Sequence, residues 1–231
     1  MTDDDTSPGD FVFSKDTAGN LEFVGDFETL YQTEEDPWNQ SGDQSGGDSD
    51  MATYYAHSRK RLLATLSGLA AASVIEVGCG LGMVTEEIRG LPSIDRAVGM
   101  DISPTAIHKA SAKYPGCDFL TGDITAFSRP PDWRDVDVVI INQALWYILE
   151  NFDKALGNSR SLLRDGGYLI IVQAFFRNGT QRYGKETIDG FGGLVERLSQ
   201  QGTEGLGFVS AHLTRDEDAH YDDGHVLLVR I

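Results

Sequence analysis

Val74-Ile75-Glu76-Val77-Gly78-Cys79-Gly80-Leu81-Gly82 is the stretch on which the fold turns. Residues 73–78 form a short, branched, apolar run that ends on glycine, the pattern of a buried strand. Residues 83–91 then carry a helical pattern, so the glycines join a strand to a helix. Glycine at such a junction lets the turn tighten and lets a ligand lie against bare backbone.

The same unit repeats on the C-terminal side. Residues 96–103 read as a second strand, and residues 104–114 as a helix with Ser103 as its N-cap and Pro104 at its first position. Residues 117–124 and 136–143 are the third and fourth strands. Residues 149–167 read as a helix stopped by Gly166-Gly167, and residues 168–175 as the fifth strand. Residues 185–201 have helical character despite their glycines. Residues 207–215 and 225–231, joined by a polar stretch, predict a closing antiparallel hairpin. Ahead of the glycine stretch, residues 52–70 are patterned as an amphipathic helix. Short apolar strands alternating with helices make a mainly parallel sheet covered on both faces. The predicted fold is therefore α/β: a Rossmann-like, seven-stranded, mainly parallel sheet with a C-terminal antiparallel hairpin and helices on both faces.

The first fifty residues follow a different pattern. Residues 11–25 alternate apolar and polar on either side of Thr17-Ala18-Gly19-Asn20, which predicts a small hairpin. Residues 26–38 predict a short helix ending before Pro37. Residues 1–10 and 40–50 are rich in Asp, Gly and Ser and read as mobile segments. Residues 1–50 are accordingly an appendage, and residues 51–231 the main domain.

Composition narrows the function. A chain of 231 residues suits one such domain. No stretch approaches the roughly 20 apolar residues of a membrane span, and the acidic start lacks the apolar core of a secretory signal. The expected compartment is the cytoplasm, with no membrane partner. The net charge of −17 repels phosphate backbones and argues against nucleic acid as a partner. Cys79 and Cys117 lie in no CxxC pair and read as packed thiols, so no metal is expected.

Two acids turn the glycine loop into a ligand hypothesis. Asp101 ends the second strand, where a carboxylate takes both ribose hydroxyls of an adenosine ligand. Asp123 follows Thr121-Gly122 at the end of the third strand, beside the expected adenine. Ligands collect at this edge of such sheets. A dinucleotide such as NAD, and with it an oxidoreductase, is the competing reading. Met83 stands where the dinucleotide fingerprint has glycine or alanine, and it would crowd a pyrophosphate at the helix N-terminus. Glu76 ahead of the loop suits an amine or sulfonium better than a diphosphate.

At these residues the sequence resembles the class I S-adenosylmethionine-dependent methyltransferases. VIEVGCGLG is similar to their first motif, MDIS to their ribose-binding acid, GDI to their adenine-flanking turn and LLRDGGYLIIV to their late Gly-Gly strand. A closer resemblance is to the NodS family, which N-methylates the free amine of a deacetylated amino sugar. It rests on Asp36-Pro37-Trp38, Tyr54-Tyr55, Arg59-Lys60-Arg61-Leu62 and Trp146-Tyr147. The hairpin before these residues and the stretch at 40–50 depart from the pattern. The resemblance implies S-adenosylmethionine as cofactor, S-adenosylhomocysteine as its product, and a lid over the cofactor that includes residues 38–61. It also implies roles. Glu76, Gly78, Cys79, Gly80 and Gly82 hold the methionine end and the turn; Asp101 and Ile102 take the ribose and one adenine face. Asp123 and Ile124 meet the adenine, and Asn142 and Gln143 face the transferring methyl.

Methyl transfer from a sulfonium asks mainly for alignment and exclusion of water. The candidate acceptor walls are Trp38, Tyr54, Tyr55, Trp146 and Tyr147, aromatics able to pair with a cation. Arg59 and Arg61 are candidates for the donor's carboxylate. His57, Asn142 and Tyr147 are the candidate catalytic groups, with His57 as a base. The expected acceptor is a small molecule or oligosaccharide, first the amine of an amino sugar and otherwise a hydroxyl. The expected assembly is a monomer or homodimer.

Overall fold

The structure, a computed structural model, describes residues 8–17, 19, 21–41, 49–126, 133, 135–177, 181–200 and 205–231. Most of the Asp/Gly/Ser stretches expected to be mobile, and two residues of the expected hairpin turn, lie outside the described residues.

The central sheet has seven strands: β3 (Ser73–Val77), β4 (Arg96–Asp101), β5 (Asp118–Thr121), β6 (Val136–Asn142), β7 (Leu163–Phe176), β8 (Leu206–Arg215) and β9 (Tyr221–Arg230). Their order is β5-β4-β3-β6-β7-β9-β8. The first five are parallel, and β9 and β8 add antiparallel at one edge. This is the predicted architecture, including the closing hairpin.

Alternation along the strands divides the core in two. Ile75, Val77, Val98, Val139, Ile141, Leu169 and Ile171 face helices α5 (Phe152–Leu162) and α6 (Gly190–Gln200). Val74, Ala97, Val138, Ile140 and Ile170 face helices α2 (Ser49–Ser67) and α3 (Met83–Arg89). Strands apolar on both faces are the cause of the continuous runs in the sequence. Helix α4 (Pro104–Lys113) starts as expected, with the Ser103 side chain accepting from the Ala106 N–H.

The two helices that flank β7 have boundaries well away from the sequence reading. The helix predicted over 149–167 is α5 alone, preceded by short 3-10 turns at Leu145–Tyr147 and Leu149–Asn151. Leu163 already pairs with Val136, so Gly166-Gly167 bends a strand and does not cap a helix. The bend brings Gly167 close to the carbonyls of Val136, Asp137 and Arg164, where a side chain would collide. The helix predicted over 185–201 begins only at Gly190, because Gln181 ties the preceding turn: its amide donates to the Tyr183 and Ile188 carbonyls and accepts from the Gly190 N–H.

The appendage carries a two-stranded antiparallel hairpin, β1 (Phe13–Lys15) and β2 (Leu21–Phe23), followed by helix α1 (Phe27–Thr33). Helix α1 is shorter than the predicted 26–38, since residues 36–41 are drawn into a turn around the Asp36 carboxylate.

Candidate functional site

The carboxyl ends of β3, β4, β5 and β6 open into one cavity of about 270 Å³. Gly78, Asp101, Ile102, Asp123, Ile124, Asn142 and Gln143 line it where the sequence placed a cofactor. Trp38, Tyr55 and Tyr147, read as acceptor walls, line it too.

Asp101 anchors this edge. It is 7% exposed and shares its carboxylate between the Gly80 N–H at 2.9 Å and the Ser103 N–H at 3.0 Å. Burial raises its pKa, and those N–H groups oppose the shift. A carboxylate has roughly four lone-pair sites, so two backbone bonds leave capacity for the hydroxyls of a ribose. An adenosyl ligand therefore fits: an acid for the sugar, apolar Ile102 and Ile124, and Asp123 beyond them.

Glu76 takes a different role from the expected one. It is 1% exposed and does not line the cavity. One carboxylate oxygen accepts from the Asn142 amide at 2.7 Å and the other from the Thr85 hydroxyl at 2.5 Å. Burial pushes its pKa up to about 7 against the pull of those two bonds. Glu76 thus fixes Asn142, and Asn142 meets the cavity. Cys79, Gly80 and Gly82 also stand outside the lining.

Gln143 has φ of +55° and reaches the cavity, but its amide is committed elsewhere. It accepts from the Ala174 N–H at 3.0 Å and donates to the hydroxyls of Tyr54 at 2.9 Å and Ser58 at 3.3 Å. Those hydroxyls donate to buried Asp223 at 3.0 and 2.9 Å. Tyr54 is therefore part of a buried network, not a wall of the cavity.

Several other candidates are displaced as well. Trp146 donates to the Ala174 carbonyl at 3.1 Å and packs edge-on against Phe175, half-buried against the core and outside the cavity lining. His57 lies 3.1 Å from Asp218, with both side chains substantially exposed, and outside the lining. Arg59 binds Glu87 at 3.3 Å and the Gln40 carbonyl; Arg61 binds Asp216 and Asp223. Each of these cations has an acidic partner within the chain, which a ligand carboxylate would have to displace.

The remaining wall comes from side chains the sequence did not single out. Phe23, Phe27, Tyr31 and Gln40 reach the cavity from the appendage, and Glu150 from the turn before α5. Tyr147 is the hub: Phe23 and Trp38 stack on it, both at 6.1 Å between centroids, and Phe27 meets it edge-on at 5.0 Å. Burial holds the Tyr147 phenol well above its ordinary pKa, so it stays protonated. The available signal was the spacing of Phe27 and Tyr31, four apart on a helix and so on one face.

Residues 75–171 match the family model described as a methyltransferase domain. Over 90 residues the chain is 30% identical to trans-aconitate 2-methyltransferase of Klebsiella pneumoniae (strain 342), covering 39% of this chain and 34% of that protein. Over 158 residues it is 27% identical to nodulation protein S of Rhizobium tropici, covering 66% of this chain and 60% of that one. The chain thus spans about a third and three fifths of these relatives' lengths. In structure it is similar to the N-methyltransferase NodS from Bradyrhizobium japonicum WM9 in complex with S-adenosylhomocysteine, with a TM-score of 0.65 and 21% identity over 88% of this chain and 97% of that one. Among the described residues no helix is long and apolar enough to cross a membrane. The glycine turn and Asp101 fall inside the matched segment and on the sheet edge that holds the cavity, so the segment that matches the methyltransferase-domain model is the one that builds the cavity, on a fold similar to that of the S-adenosylhomocysteine-bound N-methyltransferase NodS.

Proposed function

We propose that the protein transfers a methyl group from S-adenosylmethionine to a small neutral or cationic acceptor, first the amine of an amino sugar. The observation that carries this reading is the charge of the cavity wall. Among the described residues it holds three carboxylates, Asp101, Asp123 and Glu150, and no Lys, Arg or His. An anionic acceptor entering there would meet repulsion without a compensating cation. An amine suits the wall. Trans-aconitate, after which one relative is named, is a carboxylate and does not suit it.

S-adenosylmethionine supplies an electrophilic methyl on a sulfonium, open to in-line displacement. The residues of the chain supply position. Asp101 holds the ribose hydroxyls, Ile102 and Ile124 the faces of the adenine, and Asp123 its edge. Asn142, fixed by Glu76, borders the space between donor and acceptor. Tyr147 and the aromatic side chains of the appendage exclude water and give the acceptor an apolar wall that also attracts a cation. With no histidine among the described lining residues, the amine enters as its free base or sheds its proton to a carboxylate such as Glu150. Residues 1–50 serve as part of the lid, and the acceptor enters past them.

A transfer assay tests the reading. Labelled S-adenosylmethionine is offered with glucosamine-type oligosaccharides carrying a free amine, with their N-acetylated forms, and with small carboxylates. Label on the free amine alone is expected. Label on the carboxylates, with the amines untouched, contradicts the proposal.

A further inference from the structure

The wall that favours an amine poses a problem for the donor, whose amino-acid end carries a carboxylate. With no cation among the described lining residues, that carboxylate has to be met by a neutral hydrogen-bond donor. The structure offers one in the appendage.

Helix α1 is clamped to α4 at both of its ends. Near its start, the Glu28 carboxylate accepts from the Ser103 hydroxyl at 2.6 Å, the Thr105 N–H at 3.1 Å and the Thr105 hydroxyl at 2.5 Å. Near its end, the Lys109 ammonium donates to the carbonyls of Tyr31 at 2.6 Å and Glu34 at 3.1 Å. The first clamp places an anion at the N-terminus of α4 and the second a cation at the C-terminus of α1, both favourable to the helix dipoles.

Between the clamps Tyr31 turns inward. It is 3% exposed and lines the cavity. Its phenol oxygen accepts from the Trp38 indole N–H at 3.0 Å. The same oxygen lies 2.6 Å from the position a Cβ on Gly80 would take, so a side chain at 80 would push it aside. Gly80 in turn gives its N–H to Asp101. Tyr31, the glycine turn and the ribose-binding acid are one contiguous cluster. Burial and the nearby Asp101 charge keep the phenol protonated. Among the described residues no protein atom accepts that proton.

We infer that Tyr31 is a donor-binding residue: its hydroxyl, held over Gly80 by Trp38 and by the α1–α4 clamps, donates to the carboxylate at the methionine end of S-adenosylmethionine. The inference rests on the methyltransferase reading above and deepens it, because it makes closure of the appendage part of donor binding. The lid and the donor then stabilise one another through one hydrogen bond.

The test compares two ligands by isothermal titration on the full chain. S-adenosylhomocysteine carries the amino-acid end; 5′-methylthioadenosine has the same nucleoside without it. Tyr31→Phe keeps the ring and removes the hydroxyl, and a thermal melt checks that it is folded. Expected is a loss of about ten-fold or more in affinity for S-adenosylhomocysteine, the size of one hydrogen bond to a charged group, with 5′-methylthioadenosine bound as by the wild type. Unchanged or tighter binding of S-adenosylhomocysteine, or an equal loss for both ligands, overturns the inference and leaves the donor site standing. If the wild type binds neither ligand, the methyltransferase reading fails, and the inference with it.

Discussion

The two walls of the cavity are made in different ways. The wall proposed for the donor consists of strand ends and turns: Asp101 and Asn142 end β4 and β6, and Gly78 and Asp123 follow β3 and β5, with β3, β4 and β6 each held between two neighbours in the sheet. The wall proposed for the acceptor consists of aromatic side chains: Phe23 on a short hairpin, Phe27 at the start of α1 and Tyr147 on a 3-10 turn. Backbone fixed by a sheet does not depend on any one side chain. A docked segment depends on few contacts, here the two clamps to α4 and the aromatic cluster around Tyr147. On the proposed function, the first wall meets a constant ligand and the second is the part free to differ in what it accepts.

If that contrast is right, substitutions on the two walls separate. The largest effect belongs to Asp101→Ala. It removes up to two charge-assisted hydrogen bonds to the ribose, each worth roughly 1.5–3 kcal/mol, and frees the Gly80 and Ser103 N–H groups. A loss of about 100-fold or more in S-adenosylhomocysteine affinity is expected by calorimetry, and retained affinity would break the comparison. Tyr147→Ala acts on the other wall. The Michaelis constant for the acceptor is expected to rise about ten-fold, since ring contacts contribute about 1 kcal/mol each beyond burial. S-adenosylhomocysteine affinity should fall far less than in Asp101→Ala, through Trp38 and the seat of the appendage alone.

The third effect depends on pH. The folded pKa of Glu76, about 7, lies above the ordinary value of 4.5. A raised carboxylate favours its protonated form in the fold, so its contribution is full below about 4.5 and is lost as pH rises through 7. At about 1.4 kcal/mol per unit this is on the order of 3 kcal/mol. Stability of the ligand-free protein in urea should fall between pH 5 and 8, and Glu76→Gln should flatten that slope. An equal slope in the variant would remove Glu76 from the account. The smallest effect is that of Glu28→Gln. The Ser103 and Thr105 hydroxyls hold the Glu28 pKa at about 2, so its contribution is present above 4.5 and lost as pH falls toward 2. At neutral pH a drop of about two- to three-fold in donor affinity is expected, smaller than that of Tyr31→Phe because Glu28 acts only through the position of α1.

The same contrast decides what the sequence could reveal. Strands buried on both faces must be apolar throughout, and turns that meet a ligand must be glycine. Residues 73–78 as a strand that ends at the cavity, and Asp101 and Asp123 on its wall, were therefore legible, as were the sheet and its closing hairpin. Side chains from the appendage carry no such constraint. Phe23, Phe27 and Tyr31 look like ordinary apolar spacing until the fold brings residue 31 against residue 80. Tyr54 and Trp146 misled for the converse reason: aromatic residues near a site as readily pack into the fold, Tyr54 buried on Asp223 and Trp146 half-buried on the Ala174 carbonyl. Glu76 was identified as important with the wrong partner, because sequence gives no sign that Thr85 and Asn142 consume its carboxylate.

The most direct test of the central claim is a crystal structure of the protein grown with saturating S-adenosylhomocysteine. Expected is the ribose within about 3 Å of the Asp101 carboxylate, with the adenine between Ile102 and Ile124 beside Asp123. A cavity without ligand at saturation, or ligand bound elsewhere on the chain, would contradict the account.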